Sequence, residues 1–227
     1  MYFLQFGLIS IYLYIRHFIS YQRMNFLAHI YLSGDNDQMK IGNFIGDWIK
    51  GNDYKKYPEG IQMGILLHRS IDYYTDNHPI VRFSKSRLNE KYHKYSGVII
   101  DIFYDHFLAV DWRVFSPVSL NEFTNDLNNC LTANMNFLPA NIQEFIPPFM
   151  KNHWIESYAT PEGIEKVLAG MSRHTSLPDK TIDAIEILKT YYTEFRNEFY
   201  EYFPQLVKHI EEKFHISIQG QLSKQVE

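Results

Sequence analysis

The 227-residue sequence predicts an all-α fold, a single helical domain, on three observations. Apolar residues recur at steps of three and four through nearly every segment. No stretch alternates apolar and polar residues for long enough to make a half-buried strand, and no repeat is present. Helix punctuation falls at the ends of the periodic runs: Ser119 with Glu122, Thr160-Pro161 and Asn77-His78-Pro79. Hydrophobic residues make up 45 % and charged residues 21 %, enough apolar surface for a sizeable core and too little charge for disorder. With 17 Tyr and 17 Phe, large rings must fill the gaps between helices. A net charge of −4 argues against bulk nucleic-acid binding. The lone Cys130 cannot form an internal disulfide, so a reducing cytoplasm is the expected location.

Residues 1–23 differ from the rest. Met1 to Ile15 is apolar but broken by Gln5, Gly7 and Ser10, and Arg16-His17 ends it short of the ~20 residues a bilayer span needs. A basic start and a small-residue cleavage site are both missing, so it does not read as a secretory signal. An anchor, a docked helix or an upstream start codon could explain it; the last is favoured, because Met24 opens ordinary globular sequence. The expected organisation is an extension over 1–23, a helical domain over 24–215 and a tail over 216–227, with no stable membrane association.

Within that domain, Asn25 to Leu32 is short and apolar with His29 inside it, and 33–37 is a loop. Lys40 to Lys50 places Ile41, Phe44, Ile45 and Trp48 at helical spacing, with Asp47 beside them. The central helix runs from about Pro58 to Asn77 and stops at Pro79. Gly97 to Trp112 is a strongly apolar helix that nevertheless contains Asp101, Asp105 and His106. Ser119 caps a helix to about Asn136, Asn141 with Glu144 starts another that Pro147-Pro148 should break, and Pro161 opens one to Met171. From about Pro178 a single long helix is expected, with a core stripe at Ile182, Ile185, Leu188, Tyr192, Phe195, Phe199, Tyr202, Leu206 and Ile210 and a kink at Pro204.

The chemistry gathers around Gly64 to Pro79. His68 and Asp72 are four residues apart and so share one helix face. An imidazole and a carboxylate at that spacing can grip one divalent cation. Ile65, Leu66, Leu67 and Ile71 would bury the pair, and a buried ionisable pair is costly without a compensator. A metal is one; a His–Asp hydrogen bond is the other. His29, Asp47 and Asp105/His106 sit in equally apolar helices, which suggests convergence on a metal. The expectation is that Asp47, His68, Asp72 and Asp105 meet around one ion, with His106 and His29 as neighbours. Arg69 and Arg82 are candidates for contact with a substrate phosphate. Arg82 to Lys94 is the most basic stretch, and Lys85, Arg87 and Lys91 are its candidates for docking an acidic partner.

Four blocks carry a resemblance to a known family: Met24-Asn-Phe-Leu-Ala-His29, Gly42-Asn-Phe-Ile-Gly-Asp47, Leu67-His-Arg-Ser-Ile-Asp72 with Thr75-Asp-Asn-His-Pro79, and Tyr104-Asp-His-Phe-Leu-Ala109. These resemble the signature blocks of bacterial acyl-carrier-protein phosphodiesterases, and the likeness runs from Met24 to about Lys213, densest before Trp112. It implies a helical fold related to the HD-domain phosphohydrolases, dependence on Mn²⁺ or Mg²⁺, and hydrolysis of the phosphodiester between phosphopantetheine and a carrier-protein serine. The adjacent pair here is Asp105-His106, the reverse of the usual His-Asp order, so the resemblance leaves the ligand set open. Two other readings stand beside it: an HD-type hydrolase of a nucleotide or other small phosphoester, and a non-catalytic helical module held at the membrane by residues 1–23.

Overall fold

A computed structural model describes residues 26–218. The extension over 1–23 and the end of the tail, 219–227, lie outside the described residues. The chain forms helices α1 (Phe26–Tyr31), α2 (Asp37–Ile45), α3 (Glu59–Asn77), α4 (Pro79–Ser86), α5 (Ser96–Val110), α6 (Leu120–Ala133), α7 (Ala140–Lys151), α8 (Pro161–His174), α9 (Thr181–Thr190) and α10 (Tyr192–Phe214), joined by single turns. No strand occurs among the described residues, so the predicted all-α class is the observed one.

The apolar α5 occupies the centre. Ile99, Ile100, Ile102, Phe103, Phe107 and Leu108 on it have no solvent exposure, as expected of a helix that is apolar all round. α1 packs against α2 and α5, while α10 lies across α3, α4 and α5. The closest helix pair is α2 with α3, and two glycines explain the closeness. A Cβ on Gly42 would lie 2.1 Å from the Ile61 carbonyl oxygen, and one on Gly64 would lie 2.3 Å from that of Met39. Backbone therefore meets backbone at this crossing. Asn36 caps α2 by accepting from the Met39 amide at 3.0 Å, and Ser119 with Glu122 forms the predicted capping box on α6.

Several expectations need correction. The long C-terminal helix is two helices, because Tyr191 leaves helical backbone angles at φ −115°, ψ 29°. The stripe holds from Phe195 to Ile210 on α10 and at Ile185 and Leu188 on α9, but Ile182 is 71 % exposed. α10 continues through Pro204 as one helix. Pro147-Pro148 do not break α7 either. An interior proline costs ~3 kcal/mol or more. Burying Ile142, Ile146 and Phe149 on one face offsets that, at roughly 1.5–3 kcal/mol each. Within the expected tail over 216–227, Ile218 is buried, and its amide donates to Glu211 at 2.8 Å. No described helix is long and apolar enough to cross a membrane.

Candidate metal centre

Three neighbouring elements build the site. α3 supplies His68 and Asp72, one turn apart on a single face as the spacing predicts. The 3₁₀ turn Gly46–Trp48 that follows α2 supplies Asp47, and the short α1 supplies His29. Nε2 of His68 lies 3.4 Å from Oδ1 of Asp47 and 3.4 Å from Oδ2 of Asp72, while Nε2 of His29 lies 3.4 Å from Oδ1 of Asp72. The two imidazoles stack with centroids 4.3 Å apart. One donor atom from each of His29, His68 and Asp72 falls within 4.8 Å of the others. Both histidines are buried, whereas the Asp72 side chain keeps 27 % of its exposure, so the cluster opens to solvent at Asp72.

The donor set fits a divalent cation. Nε2 of His29 and Nε2 of His68 are both buried without a hydrogen-bond partner. Leaving a buried polar atom unsatisfied costs about 1–3 kcal/mol, and here two such atoms face one carboxylate. Two imidazoles with carboxylate oxygens, and no thiolate, suit manganese, iron or magnesium. Without an ion, a proton takes that place. Burial alone would depress the His68 pKa, but the Asp47 and Asp72 carboxylates, each 3.4 Å away, outweigh it and raise it to about 10. Burial would raise Asp72, yet His29 and His68 hold it well below the usual carboxylate range.

The His68 ring lies against the backbone of Gly46, where a Cβ would stand 2.2 Å from its Cγ. Gly46→Ala must therefore push the imidazole off the Asp47–Asp72 line. We expect a loss of Mn²⁺ affinity of about 10-fold or more, as for other changes that displace a ligand's support, with helix content retained in circular dichroism. Unchanged affinity would mean that the ring needs no such seat.

The other expected site residues lie apart from this cluster. Both carboxylate oxygens of Asp105 are engaged, accepting from the Leu27 amide at 3.0 Å and the Ala28 amide at 2.9 Å. Asp105 thus closes the N-terminus of α1 and so fixes the helix that carries His29. Burial pushes it up to about 8 against the pull of those two amides. His106 points about 100° around α5 from Asp105. Its Nδ1 donates to the Tyr158 carbonyl at 2.7 Å, and its Nε2 lies 3.2 Å from the Tyr192 hydroxyl, so both nitrogens are taken. Arg69 donates to the Ile49 carbonyl at 2.8 Å and covers the Tyr54 ring, bracing the segment after Asp47. Arg82 donates to Asn77 at the far end of α3, about 8 Å of helix beyond Asp72.

The basic stretch is paired internally. Lys85 binds Asp76 at 2.8 Å, Lys91 binds Asp183 at 2.6 Å, and Arg87 grips Glu198 with two hydrogen bonds. These contacts fasten α4 and the turn after it to α3, α9 and α10, which removes Arg87 from any docking face. Sequence reasoning missed Asn43, a buried amide between the two histidines, although one polar residue inside the apolar Gly42–Asp47 block was a visible signal.

Comparison with known proteins gives the family. A family model described as acyl carrier protein phosphodiesterase matches residues 24–206. The chain is 28 % identical to the acyl carrier protein phosphodiesterase of Photorhabdus laumondii over 84 % of its own length and 96 % of the relative's. It is 29 % identical to the Serratia proteamaculans protein of the same name, over 84 % and 99 %. For that of Enterobacter sp. (strain 638) the identity is 30 %, over 81 % and 96 %. No solved structure matches the chain. The match spans all four blocks that carry the cluster and its supports, and the chain belongs to the acyl carrier protein phosphodiesterase family.

Proposed function

We propose that this protein hydrolyses the phosphodiester joining phosphopantetheine to a serine of acyl carrier protein, releasing the apo-carrier, with Mn²⁺ or Mg²⁺ as cofactor. The observation that carries the reading is the pair of orphaned Nε2 atoms converging on Asp72 inside a chain of this family. A bound divalent cation supplies an acidified water and neutralises charge on the phosphate oxygens. His29, His68 and Asp72 would hold it, with Asp47 as the fourth donor. Asp72, at the open side, lies where the substrate phosphate would arrive. Asp105 acts through α1 and His106 through its contacts to Tyr158 and Tyr192, both away from the reacting atoms. For the acidic carrier, exposed Lys50 and Lys55, on the segment directly after Asp47, are better placed cations than the internally paired Lys85, Arg87 and Lys91.

The test is release of phosphopantetheine from holo-carrier by the purified chain with added Mn²⁺, followed by the mass of the carrier. Conversion to apo-carrier that stops with a chelator is the expected result. Hydrolysis of nucleotides or small phosphodiesters with the holo-carrier left intact would replace this reading with the small-phosphoester one.

A further inference from the structure

Asn43 holds both histidines of the cluster at once, His29 through its side-chain amide and His68 through its backbone carbonyl. Its Nδ2 donates to the His29 carbonyl at 2.6 Å and to the Ser33 hydroxyl at 2.9 Å, and Ser33 in turn donates to the same carbonyl at 3.0 Å. A carbonyl can only accept, so the nitrogen of the amide must face it, and Oδ1 must face the imidazole. That Oδ1 lies 2.7 Å from Nδ1 of His29. The backbone carbonyl of the same residue lies 3.0 Å from Nδ1 of His68. Both partners are acceptors, so both Nδ1 atoms carry the proton, and each Nε2 is left to face Asp72. Asn43 is itself 1 % exposed. α2 can bring it between α1 and α3 because Gly42, its neighbour, lets the α2 and α3 backbones touch.

We propose that Asn43 is a positioning residue for metal binding: through its side chain it sets the tautomer and ring orientation of His29, and through its backbone those of His68. Outer-shell partners of this kind change metal affinity by about 10- to 100-fold when removed. This inference rests on the metal reading above and adds which group orients the ligands. It also makes an asymmetric demand: changing the side chain must affect His29 and spare His68, whose acceptor is backbone.

The experiment uses the full chain, with Asn43→Ala and Asn43→Asp beside the wild type. Imidazole ¹⁵N shifts of the metal-free proteins report the tautomers, and Mn²⁺ titration followed by electron paramagnetic resonance reports affinity. In the metal-free wild type both Nδ1 atoms are expected to carry a proton, His29 as the Nδ1–H tautomer and His68 with a second proton on Nε2 where the ion would sit. Asn43→Ala should release His29 into mixed tautomers, leave the His68 resonances in place and weaken Mn²⁺ binding by about 10- to 100-fold. Asn43→Asp keeps an acceptor at Oδ1 and, with its second oxygen protonated so that it donates to the His29 carbonyl in place of Nδ2, should retain the His29 tautomer and bind Mn²⁺ more tightly than Asn43→Ala. If Asn43→Ala unfolds, the wild-type tautomers and the Asn43→Asp titration still decide. The proposal is overturned if wild-type His29 is Nε2–H, if Asn43→Ala binds Mn²⁺ like the wild type, or if the wild type binds none. Tight wild-type binding without release of phosphopantetheine would instead overturn the proposed function and leave this role of Asn43 standing.

Discussion

Asp72→Ala is expected to lower turnover by at least about a thousandfold, since a bound cation supplies several kcal/mol of transition-state stabilisation and each ~1.4 kcal/mol is a factor of ten. Asp72 is the group that faces both orphaned imidazole nitrogens, and without it Nε2 of His29 loses its carboxylate while Nε2 of His68 keeps only Asp47. Bound Mn²⁺ should fall with activity while helix content survives. The stability of the metal-free protein provides a second readout. His68 is raised from 6.5 to about 10, so its contribution is fully present below pH 6.5 and is lost as pH rises through 10. Asp72 is depressed below 3.8, so its contribution is present above 3.8 and lost as pH falls through its folded value. Metal-free wild type should therefore melt highest between pH 3.8 and 6.5. Asp72→Ala should melt lower in that window, and the gap should close as pH rises past 10. Metal binding should strengthen as pH rises, because the ion must displace the His68 proton. A variant that keeps both Mn²⁺ and turnover would show that the ion sits elsewhere.

The helical class and the pairing of His68 with Asp72 were legible because both depend on spacing along one helix. The convergence of His29 and Asp47 on that pair was legible only as an expectation, since periodicity says which residues are buried and not which burials meet. Asp105 and His106 show the limit. A buried Asp and a buried His carry the same pattern whether they bind an ion, close a helix terminus or serve a carbonyl. The absence of backbone partners in the sequence made the first option look stronger than it was. Backbone carbonyls and amides satisfy most buried side-chain groups, and they are invisible to residue-type reasoning. The same blindness hid Asn43, whose role combines a side-chain oxygen with its own carbonyl. The prolines of α7 failed in another way: local propensity was read correctly, and tertiary burial overrode it.

The basic stretch produces the second large effect, on stability and not on docking. Arg87→Glu is expected to destabilise the fold by about 3 kcal/mol, the lower end of what breaking a buried pair from one side costs, because this pair is part-buried. The Arg87 and Glu198 side chains are 14 % and 13 % exposed, and their two hydrogen bonds span 2.9 and 2.7 Å. The guanidinium also stands over the rings of Phe83, Phe195 and Tyr191 at 4.6, 5.2 and 5.6 Å, which adds cation–π attraction. A glutamate here would aim a second carboxylate at Glu198, whose Oε2 also accepts from Ser84, a partner of Tyr104 in the core. For a chain of this size the melting temperature should drop by roughly 10 °C, at about 2–4 °C per kcal/mol. Lys91→Glu breaks a pair that is 44 % and 33 % exposed and should cost no more than about 1 kcal/mol. Adding Glu198→Arg to Arg87→Glu restores opposite charges in reversed positions and should recover part of the loss. If Arg87 instead met an acidic partner in solution, Arg87→Glu would raise KM for the carrier and leave the melting temperature unchanged, and the ion pair with Glu198 would then have no part in holding α4 against α10.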